Sequence, residues 1–132
     1  MDRVERDDTP VMFLSSEDSP AGISAAWEQL ESRSDSLQGR KFFGAFGFVS
    51  NEYRACVAVQ EGDDAAKPRL EQGILPGGSY ARVRLRSGPP AIYEEIQPAF
   101  EELARRPDRD DGRPSIEYYR RRNEIDLLLP VV

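Results

Sequence analysis

In this 132-residue sequence, Glu117-Tyr118-Tyr119 carries the clearest capacity for chemistry. Side chains alternate along a strand, so Glu117 and Tyr119 share one face while Ile116 and Tyr118 share the other. A carboxylate beside aromatic rings suits a cation, because the acid supplies charge while the rings supply contact area and cation–π attraction. If desolvated, its pKa would rise and it could serve as a general base on water. The competing assignment is an exposed strand glutamate paired with an arginine from Arg120 to Arg122.

Aromatic residues elsewhere extend the candidate site. The run Phe42-Phe43-Gly44-Ala45-Phe46-Gly47-Phe48 holds two glycines, a sign of close backbone approach or a bulge. Periodicity alone does not separate Phe42, Phe46 and Phe48 into core and ligand contacts; Phe46 and Phe48 are taken as candidates, with Tyr53, Tyr80 and Trp27. Histidine is absent, which removes the commonest general base and the commonest metal ligand. The single cysteine, Cys56, reads as core filler. Gly73 to Gly78 has phosphate-loop spacing but lacks the lysine that follows such a loop. Asp108, Asp110, Asp111 and Gly112 resemble a calcium loop in composition only, and read as a solvated loop. No cofactor and no metal are expected.

Bulk composition sets the frame for these residues. Hydrophobic residues make up 39% and charged residues 32%, a globular balance. No apolar run is long enough to span a bilayer, and the acidic, polar beginning is neither a signal nor a transit peptide. A lone cysteine suits a reducing, cytoplasmic compartment. A net charge of −6 disfavours a generic nucleic-acid binder.

The elements that position the candidates follow from pattern. Residues 1–10 read as a charged tail, and Val11 to Leu14 as a short strand. A helix starts at Ser19-Pro20, with Ile23, Ala26, Trp27 and Leu30 on one face, and exits near Gln38-Gly39. Lys41 to Val49 and Tyr53 to Val59 form a hairpin. Residues 61–76 read as a linker. Ser79 to Arg86 is a strand in which Ala81, Val83 and Leu85 face away from Tyr80, Arg82, Arg84 and Arg86. The arginines of that face and Arg120 to Arg122 are expected to pair with the excess acids. A second helix carries Ile92, Ile96, Ala99, Phe100 and Leu103 on one face, and Pro98 predicts a kink or break near Glu94. Ser115 to Arg121 and Glu124 to Pro130 form the last hairpin.

The chain therefore reads as strand, helix, strand, strand, twice over. Ala26-Trp27-Glu28-Gln29-Leu30 matches Ala99-Phe100-Glu101-Glu102-Leu103, and Glu52 to Val57 matches Glu124 to Leu129 at nearly the same offset. This predicts an α+β fold, a duplicated β-α-β-β repeat in one domain over 11–132. Repeat one spans about 11–60 and repeat two about 77–132. Two helices pack on an antiparallel sheet, with a cleft between the repeats, where ligand sites favour such junctions.

On these elements lie stretches that resemble the GyrI-like small-molecule-binding family. Gly73-Ile74-Leu75-Pro76-Gly77-Gly78-Ser79-Tyr80-Ala81 resembles the family's "lP-x-G-x-Y-A" strand. Ser87-Gly88-Pro89 resembles its "x-G-P" turn, and Tyr53 to Val59 its "Y-D-A-C-V-x-V" strand. Glu117-Tyr118-Tyr119 resembles "E-x-Y", and Leu129-Pro130-Val131 the closing "i-P-V". The sequence departs from the pattern where Arg86-Ser87 replaces a frequent histidine before the turn. It departs again where Ala104-Arg105-Arg106-Pro107-Asp108 replaces "W-L-P-x-S-G".

The resemblance implies the effector-binding fold found alone or fused to AraC-type or MerR-type DNA-binding regions. It implies a bacterial multidrug-type cleft for small organic molecules, with Glu117 inside it. One relative inhibits DNA gyrase, and some members hydrolyse strained cyclopropane compounds. The leading expectation is a stand-alone binding protein that sequesters or senses an aromatic or cationic organic molecule. It would have no direct DNA binding, no membrane association and no enzymatic activity. One alternative is a hydrolase of strained or electrophilic molecules that uses Glu117 to activate water, with Tyr119 or Tyr53 stabilising charge. Another is an interaction with a protein partner such as gyrase or a regulator, which the acidity favours.

Overall fold

The computed structural model describes residues 2–33, 39–48, 50–64 and 69–132. Ser19 caps the first helix, α1 (Pro20–Arg33), its Oγ accepting the Gly22 N–H at 3.1 Å, with Pro20 at the first helical position. The expected exit at Gln38 lies outside the described residues, as do Val49 and part of the expected linker, residues 65–68. The second helix, α2 (Ala91–Leu103), runs through Pro98 without the expected break. Pro98 and Glu94 lie on the exposed side, so water can serve the Glu94 carbonyl that a proline nitrogen leaves without a helical donor.

Around the helices run eight strands: β1 (Asp2–Arg6), β2 (Thr9–Glu17), β3 (Phe42–Phe46), β4 (Glu52–Ala58), β5 (Glu71–Leu75), β6 (Gly78–Arg86), β7 (Ser115–Arg121) and β8 (Glu124–Pro130). They form one sheet in the order β1-β6-β8-β7-β3-β4-β2-β5, with every neighbouring pair antiparallel. The expected antiparallel α+β architecture is what the chain adopts. In the first half β4 lies between β2 and β3, and in the second half β8 lies between β6 and β7.

The two edge strands are the departures from expectation. Asp2–Arg6, expected as a tail, pairs with β6, and Glu71–Leu75, expected within a linker, pairs with β2. Edge strands are held by backbone hydrogen bonds on one side and often carry charge that discourages further pairing. A run such as Asp-Arg-Val-Glu-Arg therefore lacks the apolar alternation by which inner strands are recognised. Asp2 pairs with Arg82 at 2.7 Å, Glu5 accepts the Ser79 hydroxyl, and the Arg3 guanidinium donates to the Val132 carbonyl.

Both helices pack on one face of the sheet. Helix α1 lays Ala26 and Leu30 against Met12, Tyr53, Ala55 and Val57 of β2 and β4. Helix α2 lays Ile92, Phe100 and Leu103 against Ala81, Leu85, Ile125, Leu127 and Leu129 of β6 and β8. Strands β7 and β3 thus run between the two helices, where the halves meet. The opposite face has its own core of Val11, Phe13, Phe43, Cys56, Tyr80, Ile116 and Leu128. Cys56 is fully buried there, and burial pushes its thiol up to about 12, which fits filler rather than a nucleophile. Among the described residues, no helix is long and apolar enough to cross a membrane.

Candidate functional site

Sheet register puts Glu117 at the junction of the halves. One row across the sheet runs Leu14, Ala55, Gly44, Glu117, Leu127, Val83. The next row on the same face runs Met12, Val57, Phe42, Tyr119, Ile125, Leu85. Glu117 therefore looks toward the helix-bearing face with a glycine on one side and a leucine on the other, and only 8% of its surface is exposed.

Phenols hold this buried carboxylate. Tyr53 Oη donates to Glu117 Oε1 at 2.8 Å, and Tyr119 Oη donates to the same oxygen at 2.7 Å. Trp27 Nε1 donates to Tyr53 Oη at 3.0 Å, which extends the chain to α1. The Trp27 ring stands edge-on to Tyr119, with centroids 5.3 Å apart, and edge-on to Phe42 at 6.2 Å. Oε2 of Glu117 makes no hydrogen bond among the described residues, and no arginine or lysine among them pairs with this carboxylate.

Electrostatics follow from that geometry. Burial raises the Glu117 pKa above its ordinary value, the two phenol hydrogen bonds oppose the rise, and the charge of Asp18 adds to it. Burial also raises both phenols, Tyr53 and Tyr119, with the neighbouring Glu117 charge second, so both stay protonated donors. The cluster is thus a buried carboxyl group held by two neutral donors beside aromatic rings.

Gly44 makes the arrangement possible. A methyl group on Gly44 would overlap both Tyr53 Oη and Glu117 Oε1. The Tyr53–Glu117 hydrogen bond occupies the space that a side chain on β3 would fill. The close approach suggested by the glycines is therefore real at Gly44, though the approaching group is the chain's own phenol–carboxylate pair.

Of the residues picked from sequence, the structure brings Glu117, Tyr119, Tyr53 and Trp27 into one connected cluster. Phe46 lies on the same face between the helices, its ring edge-on to Phe100 of α2 at 4.9 Å. Tyr80 and Phe48 are elsewhere. Tyr80 is buried in the core of the opposite face, donates to the Pro76 carbonyl at 2.5 Å and lies under the Arg113 guanidinium. Phe48 packs against that same core beneath Arg54. Phe42, which was not among the candidates taken from sequence, joins the cluster, as does Gly44. The available signal was period 2, which puts Phe42, Gly44 and Phe46 on one face.

The competing assignment, an ion pair between Glu117 and Arg120–Arg122, does not form among the described residues. Arg120 pairs with Glu124 and Asp126, and Arg121 pairs with Glu124. The acids of the Asp108–Gly112 loop are also engaged by arginine, Asp108 with Arg106, Asp110 with Arg113 and Asp111 with Arg109.

Both helices thus lie on one face of the sheet, with the phenol-held carboxyl group between them. The chain belongs to the GyrI-like small molecule binding domain family, whose model matches residues 2–131. The chain is therefore a small-molecule-binding domain. Its fold is similar to that of an integron cassette protein from Vibrio cholerae, VCH_CASS2, with a TM-score of 0.77 at 15% identity, over 99% of this chain and 95% of that one. It is also similar to SAV2435, solved bound to tetraphenylphosphonium, with a TM-score of 0.71 at 12% identity, over 99% and 93% of the chains. A hydrolase from Listeria innocua gives a TM-score of 0.60 at 12% identity, over 99% and 90%. No curated protein sequence matches the chain.

Proposed function

We propose that the domain binds a lipophilic organic cation in a cleft between its halves. The positive charge would sit against Glu117 Oε2, and the apolar groups against Trp27, Tyr119, Phe42 and Phe46. The observation that carries this reading is the buried carboxylate served only by phenols. Leaving such a charge without a counter-ion is costly, and a ligand cation relieves that cost. The relative solved with tetraphenylphosphonium, a bulky aromatic cation, supports the same ligand class. The similar pairing order of the halves, and their matched segments, support a duplicated ancestry that would place the cleft on the seam.

Trp27 is the only tryptophan, so its fluorescence reports directly on the cluster. Tetraphenylphosphonium is expected to change that fluorescence saturably in the full chain, and Glu117→Gln to abolish most of the affinity. Equal affinity in the variant would remove Glu117 from the site, and binding of a neutral isostere such as tetraphenylmethane at equal strength would remove the cation.

A second reading draws on one observation, the raised pKa of Glu117 between two phenol donors. This is the arrangement of a general base poised on water, with phenols to stabilise developing charge. The similarity in fold to a hydrolase fits it. Consumption of a strained, electrophilic compound, lost in Glu117→Gln while folding persists, would establish this reading; binding without turnover leaves the receptor reading alone.

A further inference from the structure

Arg86, Ser87, Gly88, Arg121, Asn123 and Glu124 line a polar pocket of about 400 Å³ that shares no residue with the Glu117 cluster. It lies where β6 leaves for α2 and where β7 turns into β8; the Ser87 N–H donates to the Asn123 carbonyl at 3.2 Å and ties the two segments together. Its volume is within the ordinary range for small-ligand sites.

The charge here is opposite to that of the chain as a whole. Glu124 is approached by four guanidiniums, Arg84 at 3.4 Å, Arg86 at 3.3 Å, Arg120 at 3.9 Å and Arg121 at 3.8 Å. Asp126 shares two of them, Arg84 at 2.7 Å and Arg120 at 3.6 Å. Four positive groups thus divide two carboxylates, leaving two positive charges uncompensated in a protein of net charge −6. The two guanidiniums that line the pocket are also the most open, with side-chain exposures of 71% for Arg86 and 73% for Arg121. The Ser87 hydroxyl and the Asn123 amide make no hydrogen bond among the described residues.

We propose that this pocket binds the phosphoryl dianion of a small phosphorylated molecule. Two guanidinium forks match the oxygens of such a group and form charge-assisted hydrogen bonds. The hydroxyl of Ser87 and the amide of Asn123 supply the remaining donors, and the dianion's two charges balance the local excess. A single carboxylate would balance only one of them.

Amide chemical shifts of the labelled full chain, followed during titration with inorganic phosphate and then phenyl phosphate at ionic strength fixed by NaCl, test this. Saturable shifts are expected at 86–88 and 121–124. The Arg86→Gln/Arg121→Gln double variant should weaken binding about tenfold or more. Ser87→Ala, which leaves every charge in place, should weaken it severalfold, and Arg122→Gln, outside the pocket lining, should stay within about twofold. Tetraphenylphosphonium binding should be the same in the double variant as in the parent, which separates this pocket from the Glu117 site. Tighter binding of phenyl phosphate identifies an ester ligand, and equal affinity identifies the free ion. Absence of saturable shifts, equal shifts with NaCl alone, or undiminished binding in both Arg86→Gln/Arg121→Gln and Ser87→Ala would overturn the proposal.

Discussion

Glu117 and Asp126 are both buried acids on neighbouring strands, 8% and 3% exposed, and they have opposite surroundings. Register pairs Glu117 with Leu127 and Tyr118 with Asp126, so the two acids sit one row apart on opposite faces of the same sheet. Asp126 receives two hydrogen bonds from Arg84, at 2.7 and 3.1 Å, and a longer contact from Arg120. Glu117 receives two phenols on one oxygen and no cation among the described residues. Asp126 is satisfied by arginine within the fold, whereas Glu117 is held by two neutral phenols.

This contrast can be broken experimentally. Asp126→Asn removes the charge that accepts two hydrogen bonds from Arg84 and leaves that guanidinium its 3.4 Å contact with Glu124, and it should give the largest loss of stability of the four changes. Urea denaturation measures this, and an unchanged midpoint would refute the structural role. Gly44→Ala forces a methyl into the Tyr53–Glu117 hydrogen bond and should cost about 2 kcal/mol of stability while also weakening cation binding. If both properties were preserved, the close packing around Gly44 would be less strict than described.

Glu117→Gln should weaken tetraphenylphosphonium binding by roughly 30-fold, the effect of about 2 kcal/mol from loss of a buried charge contact. The same substitution should have the opposite sign on stability. The folded-state pKa of Glu117 lies above its ordinary 4.5, so the carboxyl costs the fold nothing below 4.5 and weakens it increasingly as pH rises through the folded value. The variant, which carries no charge to bury, should therefore match the parent near pH 4 and melt at a higher temperature near pH 8. A stability gap independent of pH would contradict the burial of an ionising Glu117. This is the smallest of the four effects and the most specific to the contrast.

Much of the frame was legible because strands and helices carry their own periods. The alternation around Glu117 and Tyr119 was correct, as were β7 and β8 in full and the Ser19 cap. Tyr80 was assigned to the site although its own strand argued otherwise. It shares a face with Arg82 and Arg84, while Ala81, Val83 and Leu85 turn toward the helices. Phe48 failed for a different reason. Period 2 would align it with Phe46, but β3 ends at Phe46 and Gly47 adopts φ of +86°, so the alternation is lost between them. Edge strands β1 and β5 were hidden because pairing, rather than burial, defines them.

The sequence by itself determined the helices and the inner strands, the two-layer arrangement and the placing of Glu117 with Tyr119 on one face, since these depend on periods of 2 and 3.6 along the chain. Only the tertiary structure decided what that face meets. Tyr53 arrives from β4, Trp27 from α1, and Gly44 yields the space between them. No arginine follows, because Arg84 and Arg120 are spent on Asp126 across the opposite face. Local pattern fixes which way a side chain points; the order of strands fixes its neighbours, and it is the neighbours that leave one buried acid paired with arginine and the other held by phenols.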